Sequence, residues 1–331
     1  MSTLAVAMIL ILLAPAASAG AASSVLRIDQ TASPSPADQD ERLREADRLR
    51  DSGQLEAALA TYKVVLDRSP GAAKAHLGAG TALLDLGRPE GAIPFLQEAV
   101  RFDPGEHRAW ENLGLAHSAV YDRIASELRE ASFTFRTHPP GADDPRQKRQ
   151  DELSEKLGER DWPEEAIRCL REAVRLMPEE PKYWHQLGKA LKQYHADDLT
   201  EMAEALSKAA ELDPSHYESQ RNLVLALDRA GRHREAWEVC LRLERIARSD
   251  DSWLAKEMGD LALELADLEE SERRYLRALE LDPELAFAHV GLARLHMRRG
   301  DLDRSRQHEE AAIQRRPDLE ASIRRAVEQE R

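Results

Sequence analysis

Eleven histidines, two cysteines and 61 carboxylates are the side chains of this 331-residue chain that could hold a metal or move a proton. His289 and His296 stand seven apart, a spacing that places both on one face of a helix. His308-Glu309 opens like the helix of a zinc protease, which needs a second histidine four residues after the first; Ala312 stands there instead. Gly78-Ala79-Gly80 has glycines but no preceding strand, so it is not a nucleotide loop. The many Asp and Glu residues fall on what read as solvated helix faces rather than in pairs suited to acid–base work. No Ser/His/Asp or Cys/His set has strands and loops to hold it. The expectation from this inventory is no catalytic set, no cofactor and no metal.

The elements that must carry these residues are helices, and they repeat. From Tyr275 an amphipathic helix runs to Asp282-Pro283, where the residue before proline resists the α conformation. A second helix follows and stops at Gly300, a residue suited to a left-handed C-terminal cap. Pro317 lies 34 residues after Pro283, and the same interval separates Pro70 from Pro104. A helix–turn–helix period near 34 marks a helical solenoid. Small residues recur at position 8 of the units (Ala46, Gly80, Gly114, Ser154, Gly188, Gly259, Ala293), with the larger Val224 in the sixth. They recur again at position 20 (Ala58, Ala92, Ala166, Ala236, Ser271, Ser305, with Met202 the exception) and position 27 (Ala99, Ala173, Ala209, Ala278, Ala312, with Val65 and Leu243 the exceptions). Position 32 is proline at 70, 104, 178, 214, 283 and 317, with Arg248 breaking the series. In these features residues 40–319 resemble the tetratricopeptide repeat family in its exported bacterial type. His117, His289 and His296 fall at positions 4 and 11, where that family places large packing residues. Cys169 and Cys240 lie two units apart, too far for a disulfide, and are expected to be buried free thiols.

The middle of the array departs from the pattern. Pro104 to Pro178 is 74 residues, two units plus six. Ile124, Leu128, Ala131 and Phe135 keep a helical stripe, and Thr137 to Pro145 is dense in breakers. A charged helix from Arg146 to Leu157 reads as a weak fourth unit; the alternative is one unit carrying a 40-residue insertion. Pro94 is expected to kink the helix it sits in. After Pro317, Leu319, Ile323, Ala326 and Val327 form the single stripe of a capping helix over 320–331.

At the N-terminus, Leu4 to Leu13 is too short for a comfortable span and ends at Ala17-Ser18-Ala19, an A-x-A cleavage pattern. Residues 1–19 are therefore read as a secretory signal peptide, with an uncleaved anchor as the alternative. Residues 20–39 read as a flexible linker. The expected location is periplasmic or extracellular, with no stable membrane span after cleavage. A formal charge of −14 argues against a nucleic-acid partner.

The resemblance implies an all-α, right-handed superhelical solenoid of about eight helix–turn–helix units with a C-terminal cap. It implies a scaffold that binds a protein or peptide, not an enzyme. In this family helix A lines the concave surface through positions 2, 5, 6, 9, 12 and 13. Those positions bring Lys182, His185, Lys189, Lys192, Arg221, Asn222, Arg229, Lys256, Arg294 and Arg298 to the C-terminal half of the groove. Asp228, Glu257, Asp260 and Glu264 interrupt the run. So much positive charge on an acidic chain reads either as a solvated face of mixed sign or as a groove for a partner that is acidic or ends in a free carboxylate. Asn222 at position 6 is similar to the carboxylate-clamp members of the family, although His185 and Lys189 stand where those carry lysine and asparagine. In the N-terminal half, Leu77, Thr81, Leu84 and Leu115 imply a drier site for an apolar or helical ligand. The alternative function is a structural subunit of an envelope, secretion or pilus assembly, binding through the convex face.

Overall fold

The computed structural model describes residues 36–137, 144–195, 199–246 and 250–330. The signal-peptide and most of the linker expectation lie outside those residues, as does most of the breaker run before Pro145. Every regular element among the described residues is helical. The first helix begins at Pro36, inside the expected linker; proline suits a first turn because its missing N–H would be unpaired there anyway.

Neighbouring helices pack as antiparallel pairs. The first pair is α1 (Pro36–Asp51) with α2 (Leu55–Arg68), and the second is α3 (Ala73–Asp85) with α4 (Pro89–Phe102). The third unit opens with α5, one helix of 31 residues from His107 to Thr137, with no turn where a second helix of the unit was expected. It is followed by α6 (Pro145–Gly158) and α7 (Trp162–Leu176), and its partner is α7. Four more pairs follow: α8 (Pro181–Tyr194) with α9 (Leu199–Leu212), α10 (Tyr217–Arg229) with α11 (His233–Ile246), α12 (Ser252–Glu264) with α13 (Leu268–Leu281), and α14 (Ala286–Arg298) with α15 (Leu302–Arg315). A short 3-10 turn leads into the cap, α16 (Glu320–Glu328), which rests on α14 and α15.

Thus the described residues hold seven helix pairs rather than eight, and the insertion reading of residues 105–178 is the one that holds. The contact that decides it is at Gly114. A Cβ built there would lie 2.9 Å from Leu170 Cγ and 3.1 Å from the Ala166 carbonyl oxygen, both on α7. The same glycine meets the same place on the partner helix in other units: Gly80 against Leu96 at 2.6 Å and Gly188 against Leu206 at 2.5 Å. Beyond Val120, α5 continues as an arm, and Ile124 and Leu128 pack with Leu153 and Leu157 of α6. The arm and α6 therefore form a hairpin outside the ladder, and Ser154 is not a unit-packing residue. α7 joins the two main apolar clusters: Trp162 and Cys169 belong to the N-terminal one, Ile167 and Leu170 to the C-terminal one.

Two local devices hold the pairs in register. Where position 20 is serine, its hydroxyl donates across the pair to the position 8 carbonyl: Ser271 to Gly259 and Ser305 to Ala293, each at 2.9 Å. In five pairs the turn after helix A closes on a left-handed residue, glycine at 53, 87, 231 and 300 and Ala266 with φ 61° in the sixth pair. α4 runs unbroken through Pro94, so the proline removes one backbone hydrogen bond without ending the helix.

Candidate functional site

The A helices α1, α3, α5 and α8, from four consecutive units, converge on a cavity of about 330 Å³ on the inner surface. Its floor is polar. Lys182 of α8 reaches back to Glu111 of α5, Nζ to Oε1 at 2.5 Å, and that carboxylate is nearly closed off from solvent. Asn112 donates through Nδ2 to Thr81 Oγ1 at 2.9 Å, while Thr81 donates to the Leu77 carbonyl one turn back. Asp47 accepts from Tyr62 at 2.5 Å and lies 3.6 Å from Arg50. Lys74 and Arg108 stand at the rim. Lys74 has no hydrogen bond or ion pair among the described residues.

The expectation of a dry N-terminal groove therefore needs correcting. Leu77 and Thr81 do line the cavity, but Leu84 packs into the apolar cluster, and cations and carboxylates take up most of the lining. Lys182, expected further along, contributes to this cavity.

The expected basic stripe divides in two. On α8 and α10 the predicted residues do come together. Lys192 donates to Asn222 Oδ1 at 2.8 Å, and burial, then Arg221, pushes its ammonium below the usual lysine range. His185 lies 3.0 Å from the Ser219 hydroxyl and edge-on to His216; burial, then His216 and Lys189, holds its pKa down. The Arg221 guanidinium lies 4.4 Å over the Trp253 ring, so it packs as well as carries charge. Lys189 is exposed and has no hydrogen bond or ion pair among the described residues. Arg229 is exposed on the last turn of α10.

On α12 and α14 the predicted cations are neutralised within the chain. Lys256 is held between Glu257 at 2.8 Å and Asp260 at 2.7 Å. Arg294 pairs with Glu264 at 2.8 Å and with Glu330 at 2.6 Å. Arg298 meets the same two carboxylates and donates to the Leu263 carbonyl at 2.5 Å. Glu330 arrives just beyond the cap, so the end of the groove is filled by the protein's own acid. Burial opposes ionisation of Glu330, but Arg298 and Arg294 outweigh it and hold the carboxyl below its usual range.

Glu111, Thr81, Asn112 and Lys74 were not singled out as a site from the sequence. A signal was there: Asn112 stands at position 6, as Asn222 does two units later. On the convex side, exposed apolar residues fall on different helices, as with Val64, Phe102, Leu241 and Leu276. Scattered side chains of this kind do not mark a docking face.

The histidines pack as expected in part. His289 and His308 meet through their Nδ1 atoms at 3.1 Å, and His296 stacks parallel to His308 with centroids 5.5 Å apart. His117 is nearly inaccessible, with its ring 5.6 Å from Trp162. Burial pushes its pKa down to about 4 and that of the Cys169 thiol up to about 12. One group with metal-ligand chemistry occurs among the described residues: His117, Glu165 and Cys169, whose donor atoms all lie within 4.8 Å of one another.

Stacked helix pairs with a polar inner cavity define a helical-repeat solenoid, a class built to present a concave surface to another chain. The chain belongs to the tetratricopeptide repeat family: the family model matches residues 43–107, 196–251 and 256–320, together more than half of its length. The unmatched stretch contains the insertion. Proteins of this family act as protein-interaction scaffolds. Comparison with curated protein sequences finds no match. Among solved structures the chain is similar to YrrB, a TPR protein with an unusual peptide-binding site, at 14% identity and a TM-score of 0.52, covering 69% of this chain and 95% of that one. It is similar also to MamA (20% identity, TM-score 0.46, covering 63% and 91%) and to PilF of Pseudomonas aeruginosa (17% identity, TM-score 0.48, covering 74% and 92%).

Proposed function

We propose that the chain is an exported scaffold that holds an extended, acidic segment of a partner protein in the cavity between α1, α3, α5 and α8. The observation that carries this reading is the convergence of four A helices on one polar cavity whose side chains are fixed yet not used up. Asn112 lines the cavity and spends one N–H on Thr81, which leaves a second N–H and a carbonyl oxygen for a partner. An amide that both donates and accepts matches the alternating N–H and C=O groups of an extended peptide. Lys74 at the rim, and Lys189 further along α8 beyond the cavity, add unneutralised positive charge, which favours acidic side chains or a terminal carboxylate. Lys192, Asn222 and Arg221 continue the surface past α8.

Photo-crosslinking in cells tests the assignment. A crosslinking residue at Lys74 or Asn112 is expected to capture the same partner, and one at Val64 on α2 to capture little of it. Equal capture from Val64 would overturn the concave reading. Export rests on the Leu4–Leu13 run and Ala17-Ser18-Ala19. N-terminal sequencing of the mature protein should read from Gly20, and a cytoplasmic product starting at Met1 would refute it.

A further inference from the structure

The third pair is the one in which the chain leaves the ladder between its two helices, and it holds a group of side chains that packing alone does not account for. His117 on α5 faces Glu165 and Cys169, one turn apart on α7. The His117 side chain is 1% exposed, and its Nδ1 has no hydrogen-bond partner. A buried polar atom left unpaired costs stability unless something binds it. In the seventh pair the corresponding positions hold His296 and His308, but there His308 Nδ1 already has a partner in His289.

The three donors are an imidazole nitrogen, a sulfur and a carboxylate oxygen. Such a mixed set suits a borderline-soft ion of the zinc class and suits magnesium or calcium poorly, since those prefer all-oxygen shells. Zinc bonds of about 2.0–2.3 Å in a tetrahedron place donors roughly 3.3–3.7 Å apart. The present separations close to that range if Glu165 moves by on the order of 1 Å. Glu165 can move, because it is only partly buried and its ion-pair partner, Arg168, is a flexible surface side chain on the same helix. The charged groups facing the site are Arg160, Arg168 and Glu172.

We propose that His117, Glu165 and Cys169 bind a divalent ion of the zinc class, which ties α5 to α7 across the insertion. On binding, the Cys169 S–H bond breaks, its proton passes to solvent and a sulfur–metal bond forms, with no change in oxidation state. A water completes the fourth position on the Glu165 side. The ion would join helices that a long inserted segment separates in sequence, where closing the chain is entropically most costly.

The test uses the full chain, stripped with chelator and titrated with cobalt(II), then with zinc(II) in competition. One equivalent of cobalt should produce a thiolate-to-cobalt charge-transfer band in the near ultraviolet and visible bands of tetrahedral strength, both removed by zinc. Cys169→Ser should abolish the charge-transfer band, and Cys240→Ser should leave it. Glu165→Gln, on the solvent side of the site, should keep the circular dichroism of the parent and weaken zinc binding at least tenfold. Zinc should raise the melting temperature of the parent and not of Glu165→Gln. No charge-transfer band in the parent, a band that survives Cys169→Ser, or unchanged zinc affinity in Glu165→Gln would each overturn the proposal. If Cys169→Ser does not fold, the Glu165→Gln and Cys240→Ser results decide.

Discussion

Replacing Gly114 by valine asks directly which helix completes the third unit. The first added carbon would sit 2.9 Å from Leu170 Cγ and 3.1 Å from the Ala166 carbonyl oxygen. Leucine can yield by a small rotation, but a backbone oxygen inside α7 cannot move without its helix. Overpacking of this kind costs about 1–3 kcal/mol. Valine recovers roughly 0.3 kcal/mol because glycine is the poorer helix former. The net loss should therefore be about 2 kcal/mol, placed at the α5–α7 interface. A solenoid opens unit by unit, so hydrogen exchange is a better assay than one global transition. A loss of about 2 kcal/mol speeds exchange through that opening roughly 30-fold, and the amides of 162–176 should show it. Gly158→Ala is the control, since nothing lies within 4 Å of a side chain there, and it should be neutral or slightly stabilising. Unchanged exchange over α7, with faster exchange confined to the arm and α6, would refute the pairing.

Ala266 holds a left-handed turn that four other units give to glycine, so Ala266→Gly should stabilise by about 0.5–1 kcal/mol, read from the melting of the C-terminal pairs. Glu330→Ala should free Arg294 and Arg298 and loosen the cap by about 1–3 kcal/mol, seen as faster exchange over α16. Burial, then Arg315 and His308, lowers the His289 pKa to about 4 from an ordinary 6.5. The unfolded chain thus binds more protons between those values, and stability should fall as pH drops from about 6.5 towards 4; His289→Gln should flatten that part of a melting-temperature profile. Lys74→Glu with Lys189→Glu should weaken an acidic partner about 3–30-fold, more at low salt, with the fold unchanged by circular dichroism.

The ladder was legible because its determinants recur within each unit. Gly80, Gly188 and Gly259 leave room for a partner helix, and Pro70, Pro104 and Pro283 end the second helix at one interval. The third unit was not legible because helix pairing is a long-range fact. Ile124 and Leu128 make a stripe that serves as well for an inserted hairpin as for a repeat, and nothing near them says that Gly114 will meet α7. The groove was half legible for a related reason. Register put Lys182, Lys189, Lys192 and Asn222 on one side of their helices, and in the structure Lys182 lines the cavity and Lys192 meets Asn222. It could not show that Glu264 and Glu330 would neutralise Arg294 and Arg298, or that Glu111 would take Lys182, since those acids come from neighbouring units and from beyond the cap.

The hairpin of the α5 arm and α6 also changes how the array would answer to a pull on its ends. An ordinary 34-residue unit drawn out straight yields roughly 115 Å of chain, at about 3.4 Å per residue. The third unit, which encloses the arm and α6, yields roughly 250 Å at the same rate. Its A and B helices must part before that slack is released. In an extension trace the third unit would stand out as one step about twice as long as the rest, a length marker written into the protein by its own insertion.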